Sequence, residues 1–361
     1  MSFKKNTFYK LVNQNSGLLE SVASNSLDDN AELTQFHESG NTSQHFILYL
    51  LDNNDHVLIN RNSGRVQSVA SNSLDDNAEL TQYHWNGNTS QQWHFNVIDN
   101  NVFSIINSNS GKVQSVSSTS LDDNAELTQY HDNGHSSQQW QVNEVEGAEF
   151  TLPSVQIESL PEVPQYENSN DNLSDTTPVI TSSTLIPCIM INDTWSVSDK
   201  VKNTPYYILY KKQYWKNIDS HTFAPNTSYT SDTTYGMTTT DQTSMTDTTN
   251  ISVTVDAGFS FNHISSSISK TVTNELQVST STTDTLMTTQ ENSETIENPN
   301  GYEVSWTKFA LVNEYYLARA DGTVIGDSPW VVINKNDERE SYYPLDTPPL
   351  PVTLDESKTV N

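Results

Sequence analysis

Three histidines, His37, His84 and His131, stand 47 residues apart, each directly after an aromatic ring, Phe36, Tyr83 or Tyr130. Imidazole is a common metal ligand and hydrogen-bond partner. Carboxylate pairs recur at the same interval: Asp28-Asp29, Asp75-Asp76 and Asp122-Asp123. Paired acids hydrolyse bonds when their environments set one as acid and the other as base. Three copies of one catalytic pair make little sense, however, and the chain has no GxSxG, HExxH or P-loop pattern. No enzyme activity is therefore expected. Equivalent loops around a threefold axis point outward and lie far apart, so no metal or other cofactor is expected either. Cys188 is the single cysteine and lacks a neighbouring His or Asp to activate it. It reads as a packed core residue, and it excludes an intrachain disulfide.

What positions these residues is an internal repeat. Residues 63–93 read SGRVQSVASNSLDDNAELTQYHWNGNTSQQW, and residues 110–140 differ from them at six of 31 positions. A third copy, residues 16–46, ends in His45-Phe46 where the others end in Gln-Trp. Each unit holds a short alternating strand, an Asn/Asp turn and a second strand. Asn86-Gly87 and Asn133-Gly134 add a tight turn in two copies. One such unit cannot bury a face alone, so the three are expected to close around a pseudo-threefold axis.

Composition agrees with an all-β protein. Only 34% of the 361 residues are hydrophobic and 17% charged, so the polarity comes from Ser, Thr, Asn and Gln. Long helices need more Ala, Leu, Glu and Lys than this. Seven Trp, 16 Tyr and 11 Phe argue against disorder. A formal charge of -28 repels phosphate backbones, which excludes nucleic acid as a partner, and repels anionic lipid. First contact with a membrane should thus use a neutral group such as a glycan. The start, MSFKKNTFYK, has no apolar stretch, so no signal peptide is expected, and no run of 18 apolar residues could span a bilayer as a helix. Accumulation inside the producer as an inclusion, followed by action outside at a host cell membrane, is the localisation expected.

The endings Gln91-Gln92-Trp93 and Gln138-Gln139-Trp140, weakened to Gln44-His45-Phe46, resemble the Gln-x-Trp signature of ricin-B-type β-trefoil lectins. That resemblance implies a trefoil of three 47-residue repeats, with Trp in the core and Gln bracing a sugar loop. An aromatic ten residues before the Trp would stack on a galactose-type sugar of a cell-surface glycan. The sugar-contact set it implies is Phe36, His37 and Gln44, then Tyr83, His84, Asn86 and Gln91, then Tyr130, His131, Asn133 and Gln138. One departure stands out: the early Asp of such lectins falls here on Ser21, Ser68 and Ser115. Asp28-Asp29 and their copies either supply that carboxylate or only close a turn.

The second half carries a different pattern. Residues 226–250 include 14 Ser or Thr among 25, and Ile251, Val253, Val255, Ala257, Phe259 and Phe261 then alternate with polar or small residues. Period 2 over eleven residues is the length of a tilted membrane-spanning strand. After a polar turn near 263–267, Ile264, Ile268 and Val272 share a face and are expected to form the partner strand. A half-buried hairpin of an ordinary sheet alternates in the same way. Residues 185–193 (LIPCIMIND), 204–210 (TPYYILY) and 213–215 (QYW) resemble the core signature of the Bin-like Bacillus insecticidal toxins. That family implies an aerolysin-like β-sheet pore-forming domain behind the lectin, homo-oligomerisation in a target membrane, and leaves open a second toxin component. The domain expectation is a trefoil at 1–147, a Pro-rich linker at 148–180, the pore-forming domain at 181–345 and a tail at 346–361. A non-lytic storage or defence lectin and a lectin-targeted hydrolase are the alternatives.

Overall fold

A computed structural model describes residues 3–281 and 285–354. Twelve strands form the N-terminal part. The first repeat contributes β1 (Tyr9–Asn13), β2 (Leu19–Val22), β3 (Ala31–Phe36) and β4 (Phe46–Leu50). The second contributes β5 (His56–Asn60), β6 (Val66–Val69), β7 (Ala78–Tyr83) and β8 (Trp93–Asp99), and the third β9 (Val102–Asn107), β10 (Val113–Val116), β11 (Leu127–Tyr130) and β12 (Trp140–Glu144). β1 pairs with β12 over five residues, and β4 with β5 and β8 with β9 complete a barrel. The hairpins β2–β3, β6–β7 and β10–β11 pair with one another across one end. This is the β-trefoil that the repeat predicts.

Its core obeys the repeat. Val22, Val69 and Val116 are buried together with Leu33, Leu80 and Leu127, and with Phe46, Trp93 and Trp140. Each set is spaced by 47 residues, so one repeat fills one third of the interior. Alternation along each strand delivers these side chains inward.

One polar set follows the same rule. Gln67 Nε2 donates to Gln114 Oε1 at 2.9 Å, and Gln114 Nε2 donates to Glu20 Oε2 at 2.6 Å. Glu20 stands where the other repeats have Gln, and Glu20 Oε1 and Gln67 Oε1 are buried without a hydrogen-bond partner. Burial pushes the Glu20 carboxyl up from 4.5 to about 7. A folded-state value above the unfolded one means that this group's stability is fully present below pH 4.5. It is lost as pH rises through 7, by roughly 3 kcal/mol for a shift of this size. Glu20→Gln is expected to raise the melting temperature at pH 8.5 and to change it little at pH 4. Equal effects at both pH values would sink this account.

The C-terminal part is built on long antiparallel strands. β13 (Val179–Pro187) leads through a short helix, α1 (Val197–Asn203), to the 18-residue β14 (Tyr206–Phe223). β15 (Thr227–Tyr235) is followed by α2 (Thr239–Thr249), β16 (Ile251–Val253), β17 (Phe259–Phe261) and α3 (Ser269–Leu276). β18 (Gln290–Asn298), β19 (Val304–Ala318), the 20-residue β20 (Val324–Tyr343) and β21 (Val352–Leu354) complete it. The sheet orders are β13-β14-β19-β20 and β15-β18-β21. β19 is buried on nearly every residue because it is an inner strand covered on both faces. Phe309 and Leu311 meet Tyr166, Leu173 and Trp215 on one side, while Val304 and Trp306 meet Phe223, Ile296 and Leu350 on the other.

Two expectations change here. The Pro-rich stretch is in part a covering layer rather than a free connector: Tyr166 OH lies 2.6 Å from Thr307 Oγ1, and Thr176 N donates to Trp215 O. Its few apolar side chains, Leu160, Val163, Tyr166 and Leu173, seat it on the sheet. The C-terminal segment is not a loose tail as far as residue 354, since β21 pairs with β18 and Leu350 is buried. Residues 355–361 lie outside the described residues. The two halves also share one core: Tyr49, Val57, Ile59 and Trp85 of the trefoil pack with Ile186, Cys188, Tyr206 and Val272. Cys188 is fully buried, and burial pushes its thiol up to about 12, which suits a packed residue and not a nucleophile.

Candidate functional site

Two depressions on the trefoil surface repeat each other. One, about 270 Å³, is lined by Asn30, Ser68, Asn72, Thr81, Tyr83 and Asn86 among others. Its counterpart, about 260 Å³, uses Asn77, Ser115, Thr119, Thr128, Tyr130 and Asn133 in the same places. Each combines an aromatic edge with uncharged hydrogen-bonding groups, the chemistry that fits a neutral polyol such as a sugar. Tyr83 and Tyr130 are half-buried. The backbone at Ser71, Asn72, Ser118 and Thr119 is left-handed and folds the floor of each depression. Ser90 Oγ holds Asn72 in that turn at 2.5 Å from its Oδ1.

The other expected site residues brace these depressions rather than line them. Gln91 is fully buried; its Oε1 accepts from Asn86 N at 3.0 Å and its Nε2 donates to His84 O at 2.8 Å. Gln138 does the same for Asn133 and His131, and Gln44 for Ser39 and His37. The histidines lie against their aromatic neighbours, with Tyr83–His84 ring centroids 4.2 Å apart and Phe36–His37 and Tyr130–His131 alike. Each Nδ1 meets a carboxylate of another repeat: His37 with Asp123 at 2.7 Å, His84 with Asp29 at 2.8 Å and His131 with Asp76 at 2.9 Å. The second acid of each pair is therefore a staple between repeats and does not line either depression. Arg65 and Lys112 add to Asp29 and Asp76. Hydrogen bonds from Lys112 and His131 hold the Asp76 carboxyl down at about 2. Among the described residues no cluster of His, Cys, Asp and Glu could hold a metal.

Asn30 and Asn77 were missed. Each comes from the repeat before the one whose tyrosine it faces, so each depression is composite. Asn follows each of the three acid pairs in the sequence, but only the closed ring carries it to the next repeat's tyrosine.

The residues expected to form the membrane hairpin have a different conformation here. Residues 251–261 do not form one strand: β16 and β17 face each other, Ile251 opposite Phe261 and Val253 opposite Phe259. The chain reverses between them, with Thr254 N donating to Gly258 O and Ala257 left-handed at φ 54°. Asp256 and Gly258 are turn residues, and the alternation concealed them. Val255, expected on the apolar face, is exposed at this turn. The expected partner is not a strand: Ile264 lies in a turn, Ile268 ends a short 3-10 turn, and Val272 and Leu276, four apart, share one face of α3. Ile251, Val253, Phe259, Ile268 and Val272 are buried, whereas Phe261 and Ile264 are half-buried. No helix among the described residues is long and apolar enough to cross a membrane.

Residues 179–344 match the insecticidal crystal toxin P42 family, and segments within 2–181 match the ricin-type β-trefoil lectin domain-like family. The binary larvicide subunit BinA of Lysinibacillus sphaericus is 29% identical over 198 residues, 54% of this chain and 53% of BinA. Its subunit BinB is 25% identical over 199 residues, 55% of this chain and 44% of BinB. The crystal structure of Cry35Ab1 superposes with a TM-score of 0.81 at 20% identity, covering 95% of this chain and 91% of that one. The chain is homologous to the Bin larvicide subunits and to Cry35Ab1, an insecticidal crystal protein of Bacillus thuringiensis. The alignment spans about half the length of the curated relatives it matches.

Proposed function

We propose that this chain is an insecticidal pore-forming toxin, stored as an inclusion, that binds galactose-type glycans on a host cell and inserts the region between β15 and β18 into its membrane. The observation that carries the reading is the placement of that region. Its apolar side chains, Ile251, Val253, Phe259, Ile268 and Val272, are buried in the shared core. Yet it joins two antiparallel nine-residue strands already paired in register from Thr227↔Asn298 to Tyr235↔Gln290. These strands are rich in Ser, Thr, Asn and Glu, as a water-facing lumen requires. Released from the core, the connecting chain can extend the same pairing with an apolar face outward. One hairpin cannot hide its backbone in lipid, so several copies must close a barrel. The matched relatives are named as toxins, two of them as subunits of a binary larvicide, and by that likeness a second protein component acts with this chain.

Dye release from vesicles with and without a galactose-terminated glycolipid tests the proposal. Wild type is expected to leak the glycolipid vesicles at lower dose. Tyr83→Ala and Tyr130→Ala should each weaken binding by roughly 1 kcal/mol, about fivefold in Kd, without lowering the melting temperature. Glycan binding without leakage at any dose would make the protein a non-lytic lectin. Undiminished binding by the double variant would remove the tyrosines from the site.

A further inference from the structure

The three repeats carry three different residues directly after the histidine, in the loop that runs to the bracing glutamine. It reads Glu38-Ser39-Gly40-Asn41, Trp85-Asn86-Gly87-Asn88 and Asp132-Asn133-Gly134-His135. Glu38 and Asp132 are exposed, whereas Trp85 is 5% exposed and its Nε1 donates to Ile264 O at 2.8 Å. Asn88 Oδ1 lies 3.0 Å from His263 Nε2. A Cβ added to Gly87 would stand 2.1 Å from His263 O, while at Gly40 and Gly134 it would meet nothing within 4 Å. From the same repeat Asp52 caps α3, accepting from Lys270 N at 2.7 Å and Thr271 N at 3.1 Å, and its own N donates to Ser267 O. Every one of these contacts grips residues 263–271, the middle of the apolar region between β15 and β18.

We propose that the second repeat is a latch: its loop 85–88 and Asp52 hold residues 262–276 in the core, and this region leaves only when those contacts break. The same loop carries Asn86, so the wall of one surface depression is also the restraint on the apolar region. In the other two repeats the exposed Glu38 and Asp132 stand in the place of Trp85, and nothing packs against Gly40 or Gly134 as His263 does against Gly87. This inference rests on the proposed insertion of the region, but the restraint can be measured without a membrane.

Amide hydrogen exchange of residues 262–276 reads the local opening of that segment. Gly87→Ala and Gly134→Ala impose the same left-handed strain, at φ 82° and 74°, and only the first meets His263. Exchange in 262–276 is expected to quicken at least tenfold in Gly87→Ala relative to Gly134→Ala. Asp52→Ala, which leaves the loop intact, should also quicken it and serves if Gly87→Ala does not fold. Equal exchange in Asp52→Ala and wild type, or in Gly87→Ala and Gly134→Ala, overturns the latch. Faster exchange with no gain in dye release keeps the latch and removes the insertion.

Discussion

Lys308→Met is expected to cost roughly 3–5 kcal/mol in urea unfolding at pH 7.5, because it leaves two carboxylates without their cation. Lys308 Nζ sits 2.7 Å from Glu294 Oε1 and 3.0 Å from Glu338 Oε2, and Tyr235 OH donates to the same Glu338. Lys308 and Glu294 are each 5% exposed. Burial works against the ammonium, but Glu294, Tyr235 and Glu338 beside it raise its pKa above the ordinary lysine value. The four strands involved, β15, β18, β19 and β20, belong to the two different sheets, so the cluster ties them together. The deficit should shrink as pH falls, since a protonated orphan carboxyl is easier to bury. Adding Glu294→Gln to Lys308→Met should restore part of the loss at pH 7.5. A loss under ~1 kcal/mol, the scale of a surface pair, would show that water reaches the cluster.

Trp140→Ala and Trp93→Ala are expected to cost about 3–5 kcal/mol each, the scale of an aromatic ring removed from a packed core. Both indoles are fully buried, and their Nε1 atoms donate to Gln114 O at 3.2 Å and Gln67 O at 3.3 Å. Truncation leaves a cavity and an orphaned carbonyl at once. Trp140→Phe should cost less, because Phe46 fills the same place in the first repeat. Melting temperature and galactose binding are to be measured together. Unchanged melting with lost binding would place the indoles in the sugar depressions instead.

Much of the trefoil was legible because its information is local and written three times. A period of 47 residues places the same valine, leucine and aromatic on the same inward faces, and closure of three equal units needs no other instruction. The sugar-site reading was less complete. The spacing marked Tyr83 and Tyr130, but whether a neighbouring histidine or acid faces solvent, sugar or another repeat depends on pairing across 55 residues, as in His84 with Asp29.

The sequence by itself determined the all-β class, the threefold repeat, the tryptophan core and the acidic, Ser/Thr/Asn-rich composition, since each follows from side-chain type and spacing. Only the tertiary structure decided the conformation of residues 251–278. Period 2 over 251–261 suits either one long strand or two short ones, and a turn at Asp256 to Gly258 lets β16 and β17 bury Ile251, Val253 and Phe259 in the shared core. Residues 264–276 can lie flat as a strand or coil as a helix. The groove beside the trefoil, with Asp52 positioned to cap the first turn, selects the helix. Those choices are set by contacts 179 and 219 residues distant, between Trp85 and Ile264 and between Asp52 and Thr271, and no local pattern encodes them.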